Sequence, residues 1–269
     1  MIGTKLVEEL VQSVALSHNV KGFKRASLLL MAAPESGKTT IVSAADAKHV
    51  CRVGVITGRS IMKEVSSHPD TEYLLFNDLS AIRAMSQPAV NLLIVILNQY
   101  TQDERGLVAF AGKETEFIDR CIGIIACLPF STFKDQRNRW KEMGFMSRML
   151  PFCYQYGHEL IAEIKDSIET GEHAPRVQPA RKMPKARRVK RGISVSMSAA
   201  FTKETRRLSD AKATDLGQLG IRLLQNYHVL VRAHALLFKR RAVNRHDMEF
   251  LREVDKFIST TECAPLADA

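Results

Sequence analysis

The sequence predicts an α/β fold: an αβα sandwich around a parallel sheet, followed by a small C-terminal unit made only of helices. Three observations predict it. Short, nearly continuous apolar runs alternate with segments of helical period, the pattern of strands buried on both faces of a parallel sheet. One such run leads through a loop bearing Pro34 and Gly37 straight into a helix. From about residue 198 to 261 the period is helical throughout.

The elements follow in order. Residues 4–19 read as an amphipathic helix, with Leu6, Val7, Leu10, Val11, Val14 and Ala15 near helical spacing. Ala26 to Met31 is a buried strand pattern, bounded by charge before and by Pro34 and Gly37 after. A helix is expected over Gly37–Ala47, and strands over Cys51–Thr57 and Tyr73–Phe76. Residues 87–99 have helical period. Gly106–Ala111 and Thr115–Ile118 suit a hairpin around Gly112-Lys113. Ile122–Cys127 is another apolar strand. Composition then shifts: Gly171 to Arg191 carries three prolines and eight Lys or Arg. The expected organisation is a core over 1–170, a basic linker over 171–197 and a helical lid over 198–269. In the last unit Leu219, Leu223, Leu224, Tyr227, Leu230, Val231, Ala235 and Leu236 are expected to share one apolar face. Asn244 is the expected N-cap of a final helix.

Composition narrows the classes. With 45% hydrophobic and 25% charged residues, a chain of 269 residues builds its core without disulfides or metals. No apolar run approaches 18 residues, so no membrane span is expected. Met1 to Leu10 is mixed and acidic, unlike a signal peptide, so the expected place is the cytoplasm. The five cysteines are scattered with no C-x2-C pair, which argues against a zinc ribbon and for reduced, mostly buried thiols. A net charge of +10 favours polyanionic partners.

The candidate site begins after the first apolar strand. Ala32-Ala33-Pro34-Glu35-Ser36-Gly37-Lys38-Thr39 matches the phosphate-loop pattern G-x4-G-K-[ST], with Ala32 in place of the first glycine. Backbone N–H groups around Ser36 and Gly37 are expected to wrap phosphates, and Lys38 to charge-neutralise the β and γ groups. The Thr39 hydroxyl is expected on Mg2+, with Thr40 beside it on the same turn. The ligand set is therefore Ala33, Pro34, Glu35, Ser36, Gly37, Lys38, Thr39 and Thr40, and the cofactors ATP and Mg2+. A second requirement is an acid at a neighbouring strand end, which Tyr73-Leu74-Leu75-Phe76-Asn77-Asp78 supplies. Asp78 then holds the metal through water. Alternatively Asn77 takes the metal position and Asp78 orients the attacking water. Either way one carboxylate replaces the usual Asp-Glu pair, because residue 79 is leucine.

On these residues the chain resembles an AAA+ ATPase, and within that superfamily the group of minichromosome-maintenance helicases, MoxR proteins and magnesium chelatase. It is also similar to ATP-binding proteins of phages and mobile elements, in which a strand-end Asp, an Arg-Trp pair and a Gly-Phe-x-Ser-Arg run occur together. Segment 106–120 resembles the hairpin that precedes the family's sensor 1 strand. Cys127 stands where that strand ends in a polar residue, with Ser131 and Thr132 nearby. Gly144-Phe145-Met146-Ser147-Arg148-Met149 resembles the Ser-Arg-Phe element, which makes Arg148 the candidate arginine finger acting on a neighbouring subunit. Arg137 and Arg139 are weaker alternatives. Gly220-Ile221-Arg222-Leu223-Leu224 is placed like the start of the sensor 2 helix, with Arg222 reaching for the γ-phosphate. His234 reads as a helix-packing residue.

The resemblance implies a homo-oligomer, a ring or helical filament assembled with ATP. Arg181, Lys182, Lys185, Arg187, Arg188, Lys190 and Arg191, and Lys113 at the hairpin tip, are the candidate contacts to DNA. A Lys/Arg-rich linker also serves as a solubilising tether. Two functional classes follow. One is a DNA-linked ATPase of replication, recombination or transposition. The other is a MoxR-like ATPase that remodels a protein partner, or the ATPase subunit of a phage-defence or mobile-element system.

Overall fold

Residues 4–45, 48–54, 57–102, 106–109, 115–118, 120–170 and 192–266 are described by the computed structural model. Along the chain the elements are α1 (Lys5–Leu16), β1 (Leu28–Ala32), α2 (Lys38–Val42), β2 (Val50–Arg52), α3 (Gly58–Ser67), β3 (Tyr73–Phe76) and α4 (Gln87–Tyr100). There follow β4 (Gly106–Ala109), β5 (Thr115–Ile118), β6 (Gly123–Pro129), α5 (Phe130–Glu142), β7 (Leu150–Tyr156) and α6 (His158–Glu169). The C-terminal elements are α7 (Ala199–Leu216), α8 (Ile221–Leu237), α9 (Arg245–Phe257) and β8 (Ala264–Leu266).

The main sheet has six strands in the order β2-β3-β6-β1-β7-β8, and every neighbouring pair is parallel. β4 and β5 form a separate antiparallel pair. The period-2 alternation of the strands sorts their side chains into two layers. Leu28, Leu30, Tyr73, Leu75, Ile125, Cys127, Phe152 and Tyr154 enter one core, which α1, α2, α6 and α7–α9 cover. Leu29, Met31, Leu74, Phe76, Ile124, Ala126 and Leu128 enter the other, under α3, α4 and α5. All five β1 side chains are buried, which is why its sequence is an unbroken apolar run. Burial of each such side chain contributes roughly 1.5–3 kcal/mol.

The C-terminal helices share the first of these cores. α8 lies along α1, and Phe257 of α9 stacks on Phe152 of β7 with ring centroids 5.1 Å apart. Asn244 caps α9 as expected, and Asp247 returns the bond in a capping box. Among the described residues no helix is long and apolar enough to cross a membrane.

Several expectations need correction. The helix after the loop is short: α2 ends at Val42 and continues only as a 3-10 turn over Ser43–Ala45. The second strand is Val50–Arg52 rather than Cys51–Thr57. Leu219 does not join the apolar face of α8 but stands 94% exposed in the turn before it. Cys153 and Cys263 are joined as a disulfide, Cα atoms 4.6 Å apart, so not all five thiols are free. β7, α3, α5 and α6 add to the elements expected from the sequence. β7 contains Pro151, which argues against a central strand. The Leu150 N–H faces β1, donating to the Ser27 carbonyl at 2.7 Å. Pro151 therefore turns its missing donor to the other side, where β8 pairs only with Tyr154 to Tyr156.

Candidate phosphate-binding site

The C-terminal ends of β3, β6, β1 and β7 stand side by side at one sheet edge. In open α/β sheets this edge is where ligands bind. β1 delivers the chain to residues 33–37, and α2 starts at Lys38. Within the loop Glu35 and Gly37 have left-handed backbones, φ +62° and +69°. At Gly37 this needs no Cβ to be accommodated, whereas Glu35 holds a conformation that costs a non-glycine residue energy. Alternating hand of this kind is how successive N–H groups are turned into an anion-binding concavity.

The loop is tied from within. Ser36 is buried, and its hydroxyl donates to the Ala33 carbonyl at 2.7 Å. The Lys38 ammonium donates to the carbonyls of Ala32 (3.1 Å) and Ala33 (2.5 Å) and to Ser36 Oγ (3.0 Å). Burial pushes the Lys38 pKa down, opposed by Cys127 and by the Asp78 carboxylate. The strand order β3-β6-β1 sets the loop beside the ends of β6 and β3. Thr39 and Thr40 are exposed on the first turn of α2.

A second tie comes from β7. The hydroxyls of Tyr154 and Tyr156 both donate to the Ser36 carbonyl, each at 2.9 Å. The peptide after Ser36 is planar and trans, so a carbonyl held by the tyrosines aims the Gly37 N–H the opposite way. These tyrosines lie 118 and 120 residues beyond Ser36 in sequence. Their only local signal is the Tyr-x-Tyr alternation at the end of β7.

Asp78 is exposed and caps the 3-10 turn Leu79–Ala84, its Oδ1 accepting the Ser80 N–H at 2.8 Å. Asn77 is half-buried, and its Oδ1 is buried without a hydrogen-bond partner. An orphaned amide oxygen next in sequence to an exposed carboxylate offers oxygen donors of the kind a hard cation such as Mg2+ takes. Contrary to the expectation from the sequence, Cys127 does not end its strand: β6 runs two residues further to Pro129, and Cys127 is a buried thiol opposite Leu30, pushed up to about 12 by burial, with Lys38 opposing and Asp78 adding. Near the start of α5, Ser131 is exposed, while Thr132 is fully buried with its hydroxyl unpartnered.

The two arginines lie elsewhere. Leu150 is in register with Leu28, four residues back along β1 from Ala32. Ser147 and Arg148 therefore sit at the opposite sheet edge, roughly 13 Å or more from the loop along the strands. Arg148 Nη1 donates to the Gly144 carbonyl at 2.5 Å. Arg222 donates to Ser147 Oγ at 2.9 Å, so it accompanies Arg148 and does not reach the phosphate loop of its own chain. Arg137 and Arg139 are engaged with the Thr260 carbonyl and Asn91. His234 is fully buried against Asp247. Lys113 and the basic residues Arg181, Lys182, Lys185, Arg187, Arg188, Lys190 and Arg191 lie outside the described residues.

Cys51, Glu64 and His68 gather within 4.8 Å on β2 and α3, away from the loop. Their groups satisfy one another: Cys51 Sγ donates to Glu64 Oε1 at 3.8 Å, and His68 Nδ1 meets the Glu64 carbonyl at 3.0 Å. No protein-family model matches the chain, and a search of curated proteins gives no match either.

Proposed function

We propose that this chain is an AAA+-type P-loop ATPase that binds ATP with Mg2+ at residues 33–40, hydrolyses it between subunits and works on DNA. The observation that carries the reading is the Lys38 ammonium held inside a left-handed loop at the end of β1, in electrostatic contact with Asp78 across β6. Lys38 has three donors, all on loop oxygens, and these are the donors a triphosphate would take over. The Gly37 N–H, aimed by the tyrosine pair, and the flanking amides would hold the β-phosphate. Thr39, Asn77 and Asp78 would hold Mg2+, which would supply positive charge against that developing in phosphoryl transfer. Asp78, exposed and bonded through one oxygen only to a backbone N–H, is free to orient water with the other.

The placement of Arg148 and Arg222 supports catalysis across a subunit contact. Both stand at the edge opposite their own loop, so the phosphate they would serve belongs to another copy. The eight Lys or Arg of 171–191 favour DNA as the polyanion.

One assay tests the reading: ATP turnover with and without single- and double-stranded DNA across a salt series. Stimulation by DNA that falls steeply with salt is expected. Stimulation only by a protein partner would replace DNA with protein remodelling. In the same assay Arg148→Ala lowers turnover by about 10³-fold. Mixing it with Lys38→Ala restores part of the activity through hybrid contacts, and no rescue at any ratio refutes a finger acting in trans.

A further inference from the structure

Away from the phosphate loop, a thiol, a carboxylate and an imidazole converge where α3 packs on β2. β2 is the edge strand of the sheet and pairs only with β3. Its Cys51 is buried in the same core layer as Ile61, Met62 and Val65 of α3. Ile61, Glu64, Val65 and His68 follow one another at helical spacing, so Glu64 and His68 share the face that Ile61 and Val65 turn to the strand. Glu64 is half-buried and His68 is exposed. The end of α3 is fixed twice. Pro69 keeps His68 out of the helical region, at φ −121° and ψ 80°. Arg120 donates to the carbonyls of Val65, His68 (3.3 Å) and Pro69 (2.6 Å).

The ligand atoms of Cys51, Glu64 and His68 all lie within 4.8 Å of one another. Glu64 Oε1 is 3.8 Å from Cys51 Sγ and 3.3 Å from His68 Nδ1. Ligands at zinc's bond lengths, roughly 2.0–2.3 Å, stand about 3.3–3.7 Å apart at the corners of a tetrahedron. The separations around Glu64 are therefore close to those of ligands on one ion. The donor set selects the metal: thiolate, imidazole and carboxylate together suit Zn2+, whereas Mg2+ and Ca2+ take oxygen. We propose that Cys51, Glu64 and His68 hold a Zn2+ ion that pins the edge strand β2 to the C-terminal end of α3, with water as the fourth ligand. On binding, the Cys51 thiol gives its proton to solvent, and His68 offers Nδ1 while Nε2 carries its N–H. Thiolate and carboxylate then balance the dication, which is how a buried sulfur carries charge. The ion closes the chain from Cys51 to His68 and stands independently of the nucleotide reading.

The test is equilibrium dialysis of the full chain against Zn2+ in excess Mg2+, followed by the absorption spectrum with Co2+ in place of zinc. One Zn2+ per chain is expected, and with Co2+ a thiolate charge-transfer band beside the intense visible bands of four-coordinate cobalt. Cys51→Ser is expected to abolish the charge-transfer band. His68→Gln alters an exposed side chain, so it is expected to keep the melting temperature of the metal-free parent. It is also expected to weaken Zn2+ binding more than about 100-fold, beyond what loss of a supporting residue costs. Zn2+ at about 100 times its Kd is expected to raise the parent's melting temperature by roughly 5 °C and to leave His68→Gln unmoved. A parent that takes up no Zn2+ overturns the proposal. So do variants that bind as the parent does, which would put the ion on other thiols or histidines. A cobalt spectrum without the thiolate band overturns it too, since Cys51 would then be only a hydrogen-bond partner of Glu64.

Discussion

Two polar clusters, one around Lys38 and one around Asp247, handle their charge in opposite ways. The Asp247 carboxylate is fully buried and accepts four bonds: His234 Nδ1 at 2.7 Å, both terminal nitrogens of Arg240 at 2.6 and 2.8 Å, and the Asn244 N–H at 2.8 Å. It knits α8 to α9 and reaches α1 through His234, whose Nε2 lies 3.7 Å from Glu9. Every oxygen of Asp247 is taken, and the one atom of the cluster without a hydrogen-bond partner, His234 Nε2, is buried against the Glu9 carboxylate. Around Lys38 the ammonium is only half-buried, Asn77 Oδ1 has no partner, Asp78 uses one oxygen, and Thr39 and Thr40 face solvent. A closed cluster spends its hydrogen bonds on the fold, whereas an open one keeps them for something that arrives.

The sharpest way to break that contrast is to remove one charge from each cluster. Asp247→Ala strands His234 and Arg240 and removes the α9 capping box, so a loss of roughly 3–5 kcal/mol is expected, or roughly 10 °C in melting temperature. Nucleotide affinity of the folded fraction is expected within twofold of the parent. Lys38→Ala does the reverse: the melting temperature holds within about 2 °C while affinity falls roughly 10- to 100-fold, as for loss of a charge-assisted bond. Calorimetry and a fluorescent-nucleotide titration on both variants decide it. A Lys38→Ala protein that loses stability but keeps its affinity would make the loop a structural turn.

A smaller effect probes what holds the open cluster in shape. Tyr154→Phe and Tyr156→Phe each remove one hydroxyl from the Ser36 carbonyl, worth about 1 kcal/mol apiece. The double variant is expected to raise the nucleotide Kd roughly tenfold with kcat little changed. An unchanged Kd would leave the loop's geometry to Lys38 and the left-handed residues alone.

These clusters were unequally legible in the sequence. Residues 32–39 announce a turn and a lysine through local chemistry, and the apolar runs of β1, β3 and β6 declare their burial. Asn244 announces itself as a cap for the same reason: its bond closes within three residues. The tyrosine pair, the Cys153–Cys263 link 110 residues apart and the meeting of Arg222 with Ser147 across 75 residues have no local signal, because each depends on how strands and helices dock. Pro151 concealed β7, since the rule against proline in a central strand fails where the neighbour on that side has not begun. Leu219 falls off the apolar face of α8 because the left-handed Gly220 starts that helix only after it.

The smallest expected effect is a pH dependence that belongs to the closed cluster alone. Burial by itself would lower the His234 pKa, but the bond to Asp247 and the charge of the nearby Glu9 outweigh it and raise it above the ordinary histidine value. Burial would raise Asp247 and Glu9, and their contacts with His234, with Asn244, Arg240, Lys5 and His246 contributing, bring both below the ordinary carboxylate range. A histidine raised on folding stabilises fully below its unfolded pKa, about 6.5, and loses that contribution as pH rises through the folded value. The lowered carboxylates act in the other sense, contributing above about 4 and failing as pH falls through their folded values. The cluster therefore contributes most between about pH 4 and 6.5. The melting temperature is expected to decline by roughly 3 °C on the alkaline side of that window, and His234→Gln, which keeps a donor for Asp247 but cannot titrate, should flatten the decline. An equal alkaline fall in the variant would place the titrating group elsewhere, and a matching shift in nucleotide affinity would mean that the two clusters are coupled.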